Sequence, residues 1–314
     1  MSELTFREAR ASELEAVYTL GEHAWDQSRA NRGLIGEADV RTGRALLDDW
    51  GHERPLIELM TAQDGASFLV AEEDGELAGY VIVTRFAGMD EMVDLWARPG
   101  SAGQGISRGL LERCWADSPT PDLGRLVVAV GTPADLTLFT EFGVMPVSGH
   151  WHMLHRVDQY LEQRAHEVDS MEPGVHVLTP DRALEEWRRL EPGAIGHDRT
   201  ALHEFFARTR NCLATVGDSG EATALCWVSA HGEIGPGVGA GTEDLVPVVL
   251  AALDRVAKMQ EPETLAVCCT TASWWLMDRL RRLGFRVHWP AWIMSSVPLP
   301  GLDRYLPTRP VRLL

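Results

Sequence analysis

The stretch Leu95-Trp96-Ala97-Arg98-Pro99-Gly100-Ser101-Ala102-Gly103-Gln104-Gly105-Ile106-Ser107-Arg108-Gly109-Leu110-Leu111 reads as a strand, a tight glycine loop and a helix start in direct succession. Glycines this close together let the backbone approach a ligand with no side chain in the way, and the first N–H groups of the following helix have no partner inside it. With the helix dipole behind them, those groups form an anion site suited to a pyrophosphate. A Gly-x-Gly turn ahead of a helix also serves as a plain structural turn, and the glycines alone do not separate the two readings.

The surroundings favour the first. Pro99 stands two residues after Ala97 and the apolar pair Leu110-Leu111 closes the first helical turns. The segment thereby resembles motif A of the GCN5-related N-acetyltransferases, the GNAT family. In that family the loop cradles the pyrophosphate of acetyl-CoA, in the pattern Gln or Arg, two residues, Gly, one residue, then Gly or Ala. The register falls on Ala102-Gly103-Gln104-Gly105-Ile106-Ser107. Gly105 fits the central position, whereas Ala102 and Ser107 depart from the pattern. The family's phosphate contacts are largely backbone N–H groups, and Ser107 offers a hydroxyl as donor or helix cap. The resemblance implies acetyl-CoA as cosubstrate, held by Leu95, Trp96, Ala97, Ala102, Gly103, Gln104, Gly105, Ile106, Ser107, Arg108 and Phe139.

A chain of 314 residues is long for one compact domain and suits two of about 150 residues. Its apolar content of 45% and charged content of 24% are those of an ordinary globular protein. No apolar run approaches the roughly 20 residues that span a bilayer, and Met1-Ser2-Glu3-Leu4-Thr5-Phe6-Arg7 has no signal-peptide core, so the expectation is a cytoplasmic protein without a membrane partner. A formal charge of −17 argues against nucleic acid as a partner and suits a cationic amine, although a charge of this kind also simply maintains solubility. Cys114, Cys212, Cys226, Cys268 and Cys269 contain no C-x-x-C pair, and reduced, mostly buried thiols are expected.

Hydrophobic periodicity predicts a strand at 6–9, helices at 11–24 and 40–50, a hairpin of 67–72 with 77–83, a strand at 92–97, a helix at 107–115, a strand at 125–130, a helix at 134–142, and strands near 144–148 and 151–157. That order matches the GNAT order over residues 5–157. Residues 158–174 are polar and read as a partly helical linker. The same element order then recurs: a strand at 175–178, a helix at 180–190, a hairpin of 212–217 with 222–229, a strand at 233–238, a helix at 244–259, a strand at 264–270, a helix at 274–283 and a strand at 289–297. The expected fold class is α/β with mixed sheets: two tandem GNAT-like domains, each a twisted mixed sheet flanked by helices, over 1–157 and 175–314. Gly196-His197-Asp198-Arg199-Thr200 and Gly232-Glu233-Ile234-Gly235-Pro236 look like the C-terminal module of some two-domain acetyltransferases.

The second-half loop, Val238-Gly239-Ala240-Gly241-Thr242-Glu243-Asp244-Leu245, puts Glu243 and Asp244 where a pyrophosphate would approach, and their charge repels it. The cofactor is therefore assigned to the N-terminal half, with the C-terminal half a degenerate domain that closes the acceptor site or packs as a structural partner.

Acyl transfer from a thioester to an amine needs a neutral amine, a donor to the carbonyl oxygen and, in some enzymes, an acid for the thiolate. The resemblance places the carbonyl donor at the N–H of Trp96 or Ala97. For a base, Glu91 is the first choice, because family members that act on histones carry a glutamate at that spacing and strand alternation puts it on a face with Val93, Leu95 and Ala97. Asp94 on the opposite face and Glu72 are reserves, and each of the three also reads as a plain surface carboxylate. The family's acid is a tyrosine on the fourth helix, but Leu138-Phe139-Thr140-Glu141-Phe142-Gly143 puts Phe139 in its place, and a phenyl ring donates no proton. Three readings follow: an unassisted thiolate, another acid, or acyl-CoA binding without transfer.

The expected activity is acetyl transfer to the amine of a small molecule by direct attack on the thioester, in a monomer or homodimer. The alternatives are a non-catalytic acyl-CoA-binding or regulatory protein, and an acyltransferase using a longer acyl-CoA or a non-amine acceptor. No metal is expected: strand alternation puts His150 and His152 on one face and His155 on the other. Adjacent Cys268 and Cys269 point to opposite faces, which favours burial over redox chemistry.

Overall fold

The computed structural model describes residues 3–100, 105–115, 123–130, 132–166, 174–259, 262–309 and 312–314. It divides into two compact units, Met1–Leu126 with Leu138–Phe142, and Val127–Thr137 with Gly143–Leu314.

The first unit contains β1 (Leu4–Glu8), α1 (Leu14–Asn31), α2 (Trp50–Thr61), β2 (Ser67–Glu73), β3 (Glu76–Phe86), β4 (Met89–Ala97) and α3 (Ile106–Cys114). The unit boundary passes through β5 (Gly124–Ala129) and α4 (Pro133–Glu141). Strands β1 to β4 are antiparallel neighbours in chain order. The β2–β3 turn places Asp74 and Gly75 at φ 52° and 83°, the paired positive values of a type I′ hairpin turn. Its sequence signal, Asp-Gly between two alternating runs, is why this hairpin was legible.

Helices cover both faces of this sheet, and small residues set how closely they approach. Phe6, Ala71 and Gly79 are successive cross-strand partners on one face. There α3 packs so tightly that a Cβ on Gly79 would stand 2.5 Å from Ile106 Cγ2, and one on Gly109 2.3 Å from the Phe6 ring. On the other face lies α1, where a Cβ on Gly21 would stand 2.1 Å from Tyr80 Oη. The helix expected at 40–50 is instead a 3₁₀ turn at Gly43–Leu47 followed by α2, which carries Pro55 inside it. That proline is a breaker signal in sequence, yet the helix continues across it because Leu56, Ile57 and Met60 are buried. The preceding segment is fixed to α1 by buried Asp26, which accepts from Arg41 Nε at 2.7 Å, from the Arg41 N–H at 3.1 Å and from Arg29 Nη2 at 2.7 Å.

The second unit contains β6 (Met145–Arg156), α5 (Val157–Ala165), β7 (Val175–Val177), α6 (Pro180–Leu190), α7 (Pro192–Ile195), α8 (Thr200–Thr209), β8 (Arg210–Val216), β9 (Ala222–Ser229), β10 (Ile234–Gly239), α9 (Leu245–Met259), β11 (Thr264–Thr270), α10 (Trp274–Arg282), β12 (Arg286–Ser295) and β13 (Tyr305–Leu306). One sheet has the order β13-β10-β9-β8-β7, and β6 pairs on both edges in another, with β11 and with β12. The two short strands expected at 144–148 and 151–157 are therefore one long strand whose partners come from the second half of the sequence. The expected boundary at 157 and the compact units consequently differ. Part of the expected linker is α5, docked on α9 through Tyr160 Oη to Asp254 at 2.6 Å and Arg164 to Asp254 at 2.8 Å. Residues 167–173 of that linker lie outside the described residues. Helix α8, which the sequence reading passed over, buries Leu202, His203 and Phe206.

Candidate active site

The first unit brings the motif A segment together at the C-terminal end of β4. Ala102, Gly103 and Gln104 lie outside the described residues. Gly105 is the N-cap of α3, with φ 73° and ψ 13°, a left-handed conformation that glycine adopts without penalty. A Cβ there would meet nothing within 4 Å. The first bond of the helix runs from the Gly109 N–H to the Gly105 carbonyl at 2.8 Å, so the N–H groups of Ile106, Ser107 and Arg108 precede the ladder. Ser107 is the second helical residue, so its hydroxyl does not cap the helix. Arg108 forms an ion pair with Glu141. An approachable αL glycine followed by a turn of outward N–H groups fits the pyrophosphate of a coenzyme A thioester.

Strand β4 is not a regular strand. Leu95 and Asp94 pair with Val81 and Ile82, but the next pair is Met92 with Val83, so Val93 is an extra residue with no partner on β3. Such a bulge reverses the alternation beyond it. Cross-strand partners share a face, and Glu91 opposes Thr84 while Asp94 opposes Ile82 and Trp96 opposes Tyr80. Thr84, Ile82 and Tyr80 alternate along β3 on the α1 face. Glu91 therefore shares its face with Asp94 and Trp96, and not with Leu95 and Ala97 as regular alternation implied. Glu91 is 1% exposed and faces buried Thr84, whose Oγ1 has no hydrogen-bond partner among the described residues.

The hydrogen-bond parity of β4 also separates Trp96 from Ala97. The Arg98 N–H donates to the Ala78 carbonyl at 2.8 Å, which makes 98 and 78 a hydrogen-bonded pair. Antiparallel pairs alternate, so Trp96 bonds to Tyr80 while the N–H groups of Leu95 and Ala97 point away from β3. Of the two expected carbonyl donors, Ala97 has the outward N–H. Its side chain lies on the α3 face, while Trp96 lies on the α1 face, with its Nε1 donating to Asp94 Oδ1 at 3.2 Å.

The other candidates have structural partners. Glu72 is bound by Arg7, which also holds Glu13 at 2.7 Å and keeps the Glu13 carboxyl down at about 2. Phe139 is buried at 6% exposure on α4. In the second unit the loop after β10 is closed on itself: the Gly241 N–H donates to Asp244 Oδ2 at 2.8 Å and the Ala240 N–H to the Thr223 carbonyl at 2.7 Å. The edge of β10 is paired by β13, with Gly237 opposite Leu306 and Val238 opposite Tyr305.

Missed by the sequence reading was a buried network behind β13. Glu191 accepts from Arg199 Nη2 at 2.6 Å, from His203 Nε2 at 2.5 Å and from Tyr305 Oη at 3.0 Å. The Trp227 indole donates to His203 Nδ1 at 3.0 Å. An indole only donates, so Nδ1 is an acceptor and the His203 proton sits on Nε2, facing Glu191. Burial opposes ionisation of Glu191, but the Arg199 guanidinium and His203 outweigh it and hold the carboxyl well below its usual range. Arg199 lies in a stretch already singled out, but its partners are distant in sequence and no local pattern shows them. Cys268 and Cys269 are both buried, and burial pushes their thiols up, that of Cys268 to about 11. Among the described residues no group of three or more His, Cys, Asp or Glu side chains stands together as a metal site. No described helix is long and apolar enough to cross a membrane.

Residues 31–138 match the model of the acetyltransferase (GNAT) family. No curated protein matches the sequence. Among solved structures, a putative acetyltransferase from Pyrococcus horikoshii is similar at TM-score 0.66 and 13% identity, covering 96% of this chain and 92% of that one. A tandem GNAT protein from the clavulanic acid biosynthesis pathway is similar at TM-score 0.58 and 18% identity, covering 94% and 99%. A GCN5-related N-acetyltransferase from Sphaerobacter thermophilus is similar at 0.55 and 15%, covering 94% and 96%. The fold is that of these proteins along nearly the whole chain, and the family match falls on the unit that holds the αL glycine and the bulged strand. Residues 31–138 carry the sequence pattern of the acetyltransferase (GNAT) family, and the chain shares the fold of GNAT proteins along nearly its whole length.

Proposed function

We propose that this chain is an acetyl-CoA-dependent N-acetyltransferase acting on the amine of a small molecule, with its cofactor site in the first unit. The observation that carries this reading is Gly105, an αL cap that opens α3, the next element after the bulged strand, inside the matched family segment. Bound acetyl-CoA supplies an acetyl group activated as a thioester. The N–H groups of Ile106, Ser107 and Arg108 hold its pyrophosphate. The outward N–H of Ala97 donates to the acyl carbonyl oxygen as negative charge builds there. Glu91, with Asp94 on the same face, receives the proton that the attacking amine loses. Phe139 supplies no proton, and a thiol of ordinary acidity leaves as the thiolate near neutral pH with little assistance.

The second unit is a scaffold in this reading. Asp244 occupies the loop N–H that a phosphate would need, and β13 covers the β10 edge. Phe139 favours one other reading, an acyl-CoA-binding protein that transfers nothing. Thiol release from acetyl-CoA and from longer acyl-CoA donors, measured across a panel of amines alongside calorimetry of cofactor binding, separates them. Amine-dependent release supports the transferase, whereas tight binding with no release on any acceptor favours the binding protein.

A further inference from the structure

In the second unit one strand outruns its neighbour. Pairing of β7 with β8 ends at Val177 opposite Leu213, and the Leu178 N–H donates to the Cys212 carbonyl at 2.9 Å before Pro180 opens α6. Strand β8 begins three residues before Leu213, at Arg210, so its first residues have no strand beside them on that edge. A cavity of about 340 Å³ opens there, at the small end of small-molecule sites. Leu178, Pro180, Ala207 and Ala230 give it apolar walls, and buried Trp227 also lines it. The Trp227 indole N–H is taken by His203 Nδ1 at 3.0 Å, so this residue offers the cavity apolar ring surface and no donor. Two polar side chains of the same lining, Arg208 and Asn211, are exposed, and neither makes a hydrogen bond or ion pair among the described residues. Neighbouring arginines are committed: Arg188 pairs with Glu204, Arg189 with Glu186, and Arg210, also in the lining, with Glu233 at 3.1 Å. Burial pushes the Cys212 thiol up to about 12, which keeps it neutral. No lining residue is acidic, in a chain whose formal charge is −17.

We propose that this cavity binds a small organic carboxylate, whose apolar body fills the space and whose charge meets Arg208 at the mouth. A guanidinium pairs with a carboxylate through two parallel N–H bonds, and the Asn211 amide adds a further donor. The apolar walls favour an aryl or branched alkyl body, because its surface leaves water on binding. An inorganic oxyanion meets the same two donors and leaves those walls unused, so it binds less tightly. The lining contains no residue of β10, of the loop ahead of α9 or of the first unit, so the site is separate from the proposed cofactor site and does not rest on the transferase reading. Trp227 joins it to the buried network, since His203 links that indole to Glu191.

The test uses the full chain and benzoate as the probe, with benzamide and inorganic phosphate for comparison. Binding is followed by calorimetry and by the shift in unfolding temperature, in wild type, Arg208→Gln and Ala230→Trp. Arg208 is exposed and makes no contact that the fold needs, and Ala230 is exposed, so a bulky replacement there fills the cavity without entering the core. Saturable benzoate binding is expected in wild type, about tenfold weaker in Arg208→Gln and lost in Ala230→Trp. Benzamide keeps the ring without the charge and phosphate the charge without the ring, and each is expected to bind about tenfold or more weakly than benzoate. Benzoate raises the unfolding temperature of wild type and leaves that of Ala230→Trp unchanged. Absence of saturable benzoate binding in wild type, or full affinity retained in either variant, overturns the proposal. Phosphate binding as tightly as benzoate overturns the assignment to an organic carboxylate.

Discussion

Glu91 and Asp94 are three residues apart on one strand and share a face of the sheet. In a regular strand that spacing separates two side chains across the sheet, and here the unpaired Val93 brings them back to one side. Two carboxylates and the Trp96 indole consequently look toward α1, while Gly105 and the start of α3 serve the opposite face.

If these carboxylates receive the amine proton, Glu91→Gln lowers kcat about 10²-fold or more at neutral pH while coenzyme A affinity, read by calorimetry, stays near wild type. Deleting Val93 gives a second readout. It leaves Glu91 opposite Thr84 and Asp94 opposite Ile82 in a strand of regular alternation, so both carboxylates keep the α1 face and kcat stays within a few-fold of wild type, with the fold checked by circular dichroism.

Gly105→Glu places a charge and a Cβ at the α3 cap. Coenzyme A binding is expected to disappear, because the carboxylate repels the pyrophosphate and the αL backbone strains by about 1 kcal/mol or more. Gly241→Ala in the second unit leaves binding intact. Equal loss from both variants contradicts a single cofactor site.

Removing Glu191 strands the Arg199 guanidinium, which is 0% exposed, without its carboxylate. Glu191→Ala is expected to destabilise the protein by about 3–5 kcal/mol in urea unfolding. Tyr305→Phe loses only a hydroxyl and costs about 1–2 kcal/mol, a difference that chemical denaturation resolves.

His150 is 0% exposed, and burial brings its imidazole down to about 4 from an ordinary 6.5. The unfolded chain therefore binds the proton more readily than the folded one between those values. Stability falls as pH drops through that window, by up to about 3 kcal/mol. His150→Leu flattens the stability curve between pH 6.5 and pH 4, which denaturant midpoints measured across that range would reveal.

Local signals made much of this legible. Asp74-Gly75 marked the hairpin, the glycines after Ala97 marked the α3 cap, and the acidic loop ahead of α9 is closed by its own Asp244. Each depends on residues within a few positions of one another, and backbone sterics act at that range. The helix misplaced to 40–50 shows the limit: Pro55 signals a break, and only burial of Leu56, Ile57 and Met60 carries α2 past it.

The sequence by itself determined most of the order of elements and the glycine cap that opens α3, because periodicity and glycine placement are properties of contiguous residues. Tertiary structure decided the rest. Which face Glu91 takes depends on strand pairing with β3, since one extra residue reverses every side chain beyond it. The partners of β6 come from more than a hundred residues downstream, and a strand's own pattern states that it is buried without stating against what. The same is true of Glu191, whose ionisation follows from Arg199 and His203 meeting it in the interior.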